Sequence, residues 1–296
     1  MKPLRAAAAL FILIPALCCG MSPFKKTVYE NELFRPERFR PVPDGFYNGY
    51  HLKNTELKVH GAALRGWILT KENPSGLIIY YYGNSETVYE SRERLFFIAA
   101  DTGFDVLCLD YRSYGASSGT PSIDFILEDS LEIYDAFSPL YMDIFVYGHS
   151  LGTIPALHTA IERRVNGVVL EAAFTTAKEA VPGTAYYLPG FLKGLIELEA
   201  SKELAGIKPQ QSERIHSLKA PLLLLHGSED ALFPVSMARE MHKNAGSKEK
   251  FLKIIKGAGH HNLDLKSEAA SEVFFGFLRD FSGNPFSVYG PVRPAL

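Results

Sequence analysis

The chain has 296 residues, 47% of them hydrophobic and 22% charged. That is too apolar and too weakly charged for a disordered chain, and long enough to bury a full core without disulfide or metal staples. Lys and Arg number 31 and Asp and Glu 33, a net charge of −2, which speaks against a nucleic-acid binder.

Residues 1–20 read as a targeting segment. Lys2 and Arg5 precede the apolar run Ala6–Leu17, followed by Cys18, Cys19, Gly20 and a polar stretch from Ser22 to Lys26. A basic start, a short apolar run and a small-residue exit are the layout of a secretory signal. The run is shorter than the ~20 residues of a comfortable membrane span. Three readings stay open. A signal peptidase cuts near Cys18, or Cys18 or Cys19 becomes the lipidated first residue of a bacterial lipoprotein, or the run persists as an anchor. The lipidation reading lacks the expected Leu three residues before either Cys. All three predict an exported, cell-envelope protein, periplasmic or membrane-tethered. The remaining cysteine, Cys108, lies in the apolar run Val106–Leu109 and is expected as a small buried core residue.

Residues 21–54 are rich in Pro, Arg and Phe without a clear period, and are expected to wrap the surface. The domain is expected over 55–282, with one or two antiparallel lead-in strands in Leu57–Leu69. From there strands and helices alternate. Leu77–Tyr82 reads as a strand, Glu86–Thr102 as a helix and Phe104–Asp110 as a strand. Ile123–Phe137 reads as a helix, Ile144–Tyr147 as a strand and Thr153–Arg164 as a helix. Strands follow at Gly167–Glu171, Pro221–His226 and Phe251–Ile255, with helices at Val235–Ala245 and Ser267–Phe281. Short apolar strands separated by helices predict an α/β fold, a mostly parallel sheet covered on both faces. Between Phe174 and Lys219 no strand is expected. Gly183, Pro189 and Gly190 break the pattern, and Tyr186, Tyr187, Leu188, Phe191 and Leu192 cluster inside it. A small helical lid over 174–219, above the ligand-binding edge of the sheet, fits this. Residues 283–296 read as an extended tail.

The chemistry centres on Gly148-His149-Ser150-Leu151-Gly152, directly after a strand and before a helix. This is the context of a G-x-S-x-G nucleophile elbow, whose turn is too tight for side chains at positions 148 and 152. Serine needs a base and a group to orient that base. Asp230 ends the turn Gly227-Ser228-Glu229-Asp230, and His260 ends Gly257-Ala258-Gly259-His260, each after a strand and at the same sheet edge as Ser150. Ser150 is the expected nucleophile, Asp230 the acid and His260 the base. Glu229 and Glu171 are rival acids, and His261 a rival base. His149 and His226 are expected to pack or hydrogen-bond near the site. The oxyanion hole is expected from the backbone N–H of Leu151 and that of Asn84 in the loop Gly83-Asn84-Ser85, with Ser85 as the alternative. Asp110 and Arg112 could form an ion pair that pins their loop. No spacing suggests a metal, and no cofactor is expected.

These motifs, in this order over about residues 55–281, resemble the alpha/beta-hydrolase-fold serine hydrolases. More narrowly, they are similar to the bud-emergence-suppressor-like and depalmitoylase-like group, with its D-Y-R-G-Y-G, H-G-N, H-G-x-x-D and G-x-G-H motifs. Tyr82 stands where that group has the His of H-G-N, Ser113 where its loop has Gly, and His261-Asn262 where Asn-Asp commonly follows the base. The expected function is hydrolysis of a small-molecule acyl ester or thioester through an acyl-enzyme. A serine peptidase and a non-catalytic surface binding protein are the alternatives.

Overall fold

The computed structural model describes residues 23–37, 40–206 and 210–283. The expected targeting segment and the tail beyond Gly283 lie outside the described residues.

Chain order runs β1 (Phe24–Val28), α1 (Glu30–Leu33), β2 (Gly45–Tyr47), β3 (Tyr50–Val59), β4 (Ala62–Thr70) and β5 (Leu77–Tyr81). Then come α2 (Arg92–Thr102), β6 (Asp105–Leu109), α3 (Ile123–Phe137), β7 (Ile144–His149), α4 (Thr153–Glu162) and β8 (Gly167–Glu171). The chain continues with α5 (Ala177–Gly183), β9 (Ile196–Ala200), α6 (Lys202–Ala205) and α7 (Gln211–Arg214). It closes with β10 (Leu222–Gly227), α8 (Val235–Asn244), β11 (Lys250–Ile255) and α9 (Glu268–Phe281).

Nine strands form one sheet in the order β11-β10-β8-β7-β5-β6-β4-β3-β2. The six from β11 to β6 are parallel. β4, β3 and β2 extend the sheet antiparallel from β6. Strands β5, β6, β7, β8 and β10 are buried along their whole length. That two-sided burial is why their sequences are continuous apolar runs and not alternating ones. Cys108 is buried and free, as expected.

Three expectations need correcting. The sheet begins at Gly45, ahead of the expected boundary at 55, because β2 and β3 pair with each other and with β4. The helix expected from Glu86 starts at Arg92. Residues 86–91 instead turn, with the Val88 N–H donating to Asp110 Oδ1 and the Ser91 hydroxyl to Glu86. Arg112 pairs with Asp129, not Asp110, through two 2.8 Å hydrogen bonds. Asp110 instead accepts from Tyr82 Oη and the Val88 N–H, and burial raises its pKa to about 6.

The segment 174–219 also differs. It holds short helices as expected, but also a strand, β9, which pairs in parallel with β1. The partner comes from residues 24–28, so the N-terminal segment is part of the lid and not a surface wrap. β1 does not declare itself alone, reading FKKTV with three exposed positions in five, whereas β9 reads IELEA, an apolar–charged alternation that the sequence reading passed over. Val28, Val181, Leu198 and Leu204 form a small apolar cluster separate from the main core. A cluster that small opens locally at little cost to the rest of the domain. Leu198→Ala should therefore speed proteolytic nicking between residues 177 and 206 while moving the global Tm by no more than about 2 °C. A Tm drop matching that of a central-strand truncation such as Leu224→Ala would show that the lid is continuous with the core.

Candidate active site

Strand β7 delivers Ser150 at its C-terminal end. A Cβ on Gly148 would lie 2.2 Å from the Gly152 carbonyl oxygen, and one on Gly152 would lie 2.0 Å from that of Tyr81. Both positions therefore exclude any side chain. The chain turns through Ser150 at φ +52°, a left-handed conformation that non-glycine residues rarely adopt.

The hydroxyl of Ser150 sits 2.9 Å from His260 Nε2, and His260 Nδ1 sits 2.8 Å from Asp230 Oδ2. Asp230 Oδ1 accepts the N–H groups of Leu232 and Phe233, at 2.9 and 2.8 Å. Burial works to raise the Asp230 pKa, but its hydrogen bond to His260 and the neighbouring charges hold it below the ordinary carboxylate value. With both carboxylate oxygens occupied, Asp230 fixes one orientation of the imidazole. The Phe233 ring packs edge-on against His260 at 4.8 Å.

The rivals are occupied elsewhere. Glu229 is exposed. Glu171 pairs with Arg94 and the Tyr147 hydroxyl beneath the elbow. The His261 ring contacts the lid through the Tyr187 hydroxyl at 2.5 Å. His226 is buried and bonds the Phe233 carbonyl at 2.8 Å.

The loop after β5 faces Ser150. The Asn84 side chain holds it, with Oδ1 accepting from the Arg35 N–H, the Ser85 N–H and the Tyr114 hydroxyl, and Nδ2 donating to the Leu33 carbonyl. The Ser85 N–H is thereby spent, which removes the alternative oxyanion donor. The Asn84 N–H has no acceptor among the described residues. Tyr82, where the resembling group has His, is fully buried and donates to Asp110, so its ring braces the loop from behind.

Sequence reasoning missed the charge cluster under the elbow. His149 is buried, with Nδ1 3.6 Å from Glu86 and Nε2 3.3 Å from the His260 carbonyl. Both ring nitrogens face acceptors, an arrangement that suits the imidazolium. Burial pushes the His149 pKa down, but Glu171 and Glu86 outweigh it and raise the value above 6.5. Burial likewise opposes Glu86 ionisation, yet His149 and Arg94 pull its pKa down to about 2. Glu86 and Glu171 against Arg94 and His149 make a neutral set only when His149 carries its proton. The signal was there in Glu171, the one charge in the apolar strand GVVLE, whereas Arg94 lies among Glu90, Arg92 and Glu93 and gave none.

His149, His260 and His261 bring ring nitrogens within 4.8 Å of one another, a spacing that a metal ion could use. A metal would have to displace Ser150 or Asp230 from His260, so the bonds present favour proton transfer instead.

A cavity of about 300 Å³ opens onto Ser150, lined by Gly83, Asn84 and Leu151 on one side. Its far walls are mostly apolar, including Leu157, Phe174, Val181 and Phe233. Val28 and Leu198, from the β1–β9 pair, close it from above.

Ser150 after β7, Asp230 after β10 and His260 after β11 converge at the carboxyl edge of a mostly parallel sheet. The family described as alpha/beta hydrolase fold matches residues 76–207, and the family described as Serine aminopeptidase, S33 matches residues 185–264. The chain has the alpha/beta-hydrolase fold. Among similar proteins, Lysophosphatidylserine lipase ABHD12 of Macaca fascicularis is 29% identical over 190 residues, 59% of this chain and 46% of that protein. Protein ABHD12B of Homo sapiens is 33% identical over 210 residues, 64% of this chain and 57% of that protein. The chain thus spans about half the length of the curated relatives it matches. Among solved structures, the esterase Pf2001 of Pyrococcus furiosus superposes with a TM-score of 0.67 at 20% identity, covering 84% of this chain and all of that one. At that identity the likeness speaks for the fold.

A folded-state pKa raised above 6.5 means that His149 stabilises the protein most below pH 6.5 and loses this contribution as pH rises through the raised value. Glu86 acts in the opposite sense, losing its contribution as pH falls from 4.5 towards 2. The wild-type Tm should therefore fall as pH rises above 6.5 in a step that His149→Gln lacks. Identical alkaline limbs in the two proteins would rule out a charged His149.

Proposed function

We propose that the protein is a serine hydrolase that cleaves carboxylic ester or thioester bonds of an apolar acyl group. The observation that carries this reading is the continuous chain from Ser150 through His260 to Asp230, 2.9 and 2.8 Å long, at the floor of an apolar cavity.

In this reading His260 Nε2 accepts the Ser150 proton as Oγ attacks the acyl carbon. The negative charge that forms on the carbonyl oxygen meets the N–H groups of Asn84 and Leu151. A single such donor contributes about 3 kcal/mol of transition-state stabilisation. His260 then protonates the leaving alcohol or thiol, and the acyl group stays on Ser150. Water enters, His260 takes its proton, and the second tetrahedral intermediate collapses to the acid and free Ser150. Asp230 holds the tautomer of His260 and stabilises the imidazolium in both halves.

The cavity lies at the low end of the roughly 300–1,000 Å³ range of small-ligand pockets. It suits one acyl chain better than two. This agrees with relatives named for lysophosphatidylserine lipase activity, and a single-chain lipid ester is the substrate class we favour. The match to a serine aminopeptidase family motivates a second reading, amide cleavage by the same residues. Membership of the depalmitoylase-like group would make the substrate a thioester.

Labelling with a fluorophosphonate probe should be strong in the wild type and absent in Ser150→Ala. Asp230→Asn should lower kcat by about 10⁴-fold, as expected when the base is held in the wrong tautomer. On a panel of p-nitrophenyl esters, acyl thioesters and dipeptide amides, turnover of esters is expected to exceed that of amides. A folded wild type that ignores the probe would leave the non-catalytic binding protein as the better reading.

The reading includes export. The basic start and apolar run Ala6–Leu17 ahead of Cys18 and Cys19 support a lipidated or otherwise membrane-tethered protein. Mass spectrometry of the mature N-terminus should find a diacylglyceryl cysteine at position 18 or 19. An unmodified residue there would remove the lipoprotein reading.

A further inference from the structure

Of the nine large hydrophobic side chains exposed among the described residues, five belong to the lid and its N-terminal neighbour: Phe24, Tyr29, Tyr186, Tyr187 and Phe191. Three of them gather at one end. Phe24 opens β1, where its N–H bonds the Leu195 carbonyl and it pairs with Ile196. Phe191 lies in the helical turn Gly190–Leu192 just before β9, and is 63% exposed. The Tyr186 ring lies under the Lys193 ammonium, at 4.8 Å, and Lys193 bridges to Ile196. None of Phe24, Tyr186 or Phe191 lines the cavity, so they are not there to hold substrate.

The composition of this tip is unusual for a solvated surface. From Ala180 to Ile196 the chain carries no Asp or Glu, and Lys193 is its only charge. Lys193 has no carboxylate partner among the described residues, while Lys25, one residue into β1, is paired with Glu199 at 3.4 Å. Exposed aromatics beside an unpaired lysine match the water–bilayer boundary, where aromatic rings sit at the headgroups and lysines reach anionic phosphates. Chain continuity points the same way. Only six residues separate Leu17, the end of the apolar run, from Phe24. An N-terminus held in a bilayer would keep β1 within about 20 Å of it.

We propose that the lid tip formed by Phe24, Tyr186 and Phe191 seats in the headgroup layer of a phospholipid bilayer. Phe24 opens β1, and Tyr186 and Phe191 lie in the turns that lead into β9, while Val28, Ile196 and Leu198 of the same strand pair line the cavity, so the docked tip would stand next to the cavity wall. Substrate would then enter from the membrane and not from bulk water. The docking itself does not depend on the serine chemistry.

The full chain contains a single Trp, the buried Trp67, which serves as an internal control. Phe191→Trp adds a reporter at the tip. On vesicles of equal parts phosphatidylcholine and phosphatidylglycerol, brominated near the top of the acyl chains, the added emission should be quenched at least twofold while Trp67 emission is unchanged. A Phe191→Trp protein that floats with the vesicles but is not quenched, or that does not float, overturns the proposal. This arm reads docking whether or not the protein hydrolyses anything. The double variant Phe24→Ser/Phe191→Ser should lose about tenfold in turnover of an ester presented in vesicles and keep its turnover of a soluble short-chain ester. Equal turnover of both substrates relative to wild type would also overturn it.

Discussion

The site depends on one steric constraint, the closeness of backbone around the turn from Gly148 to Gly152. Strand β7, the start of α4 and the end of β5 approach until no Cβ fits at either glycine. That approach forces Ser150 to φ +52° and lifts its hydroxyl off the sheet edge. The strain is held by the surrounding sheet, where β7 pairs with β5 on one side and β8 on the other. Thr153 Oγ1 closes the turn on the Ser150 carbonyl at 2.6 Å. A strained residue persists only where its surroundings over-determine it, and here three strands and a helix do so.

Beneath that turn, charge does the bracing. Glu171 on β8 and Arg94 on α2 meet under His149, and Arg94 also reaches the Leu263 carbonyl in the loop that carries His260. His149 in turn approaches Glu86 beyond the loop after β5 and the carbonyl of His260 itself. The elbow, the loop after β5 and the loop of His260 are therefore joined through one set of four charges, of which His149 and Glu171 are buried. Buried ions tolerate no unpaired member, so displacement of any one loop costs the electrostatic balance of the others.

The lid follows a different logic. It is held by a two-stranded ribbon and a small apolar cluster, apart from the main core. One strand comes from before the sheet begins and the other from the insertion after β8, so the cavity roof joins residues more than 160 positions apart. It meets the edge that carries Ser150, Asp230 and His260 through the Tyr187 hydroxyl on His261 and through Phe174 and Ala180, which pack with Leu232, Phe233 and Met237. A roof held by two small apolar clusters apart from the main core is the arrangement expected where substrate must pass beneath it.

Sequence alone determined the parallel sheet and the order of Ser150, Asp230 and His260. Continuous runs such as LIIYY and LLLLHG, short and separated by helical segments, are what strands buried on both faces of a parallel sheet require. The turn residues after each strand are local, and glycines at 148 and 152 report a clash that involves only neighbouring backbone. The tertiary structure decided what depends on partners distant in sequence. FKKTV has no apolar period and becomes a strand because IELEA lies beside it, while IELEA alternates apolar and charged residues, a strand signal that the sequence reading passed over. Arg112 chose Asp129 over the nearer Asp110 because Asp110 is turned inward to Tyr82 and Val88. The charge state of His149 is likewise set by Glu86 and Glu171, from two other segments. Short-range sterics and periodicity are written along the chain, while pairing across it is settled only when the fold brings the partners together.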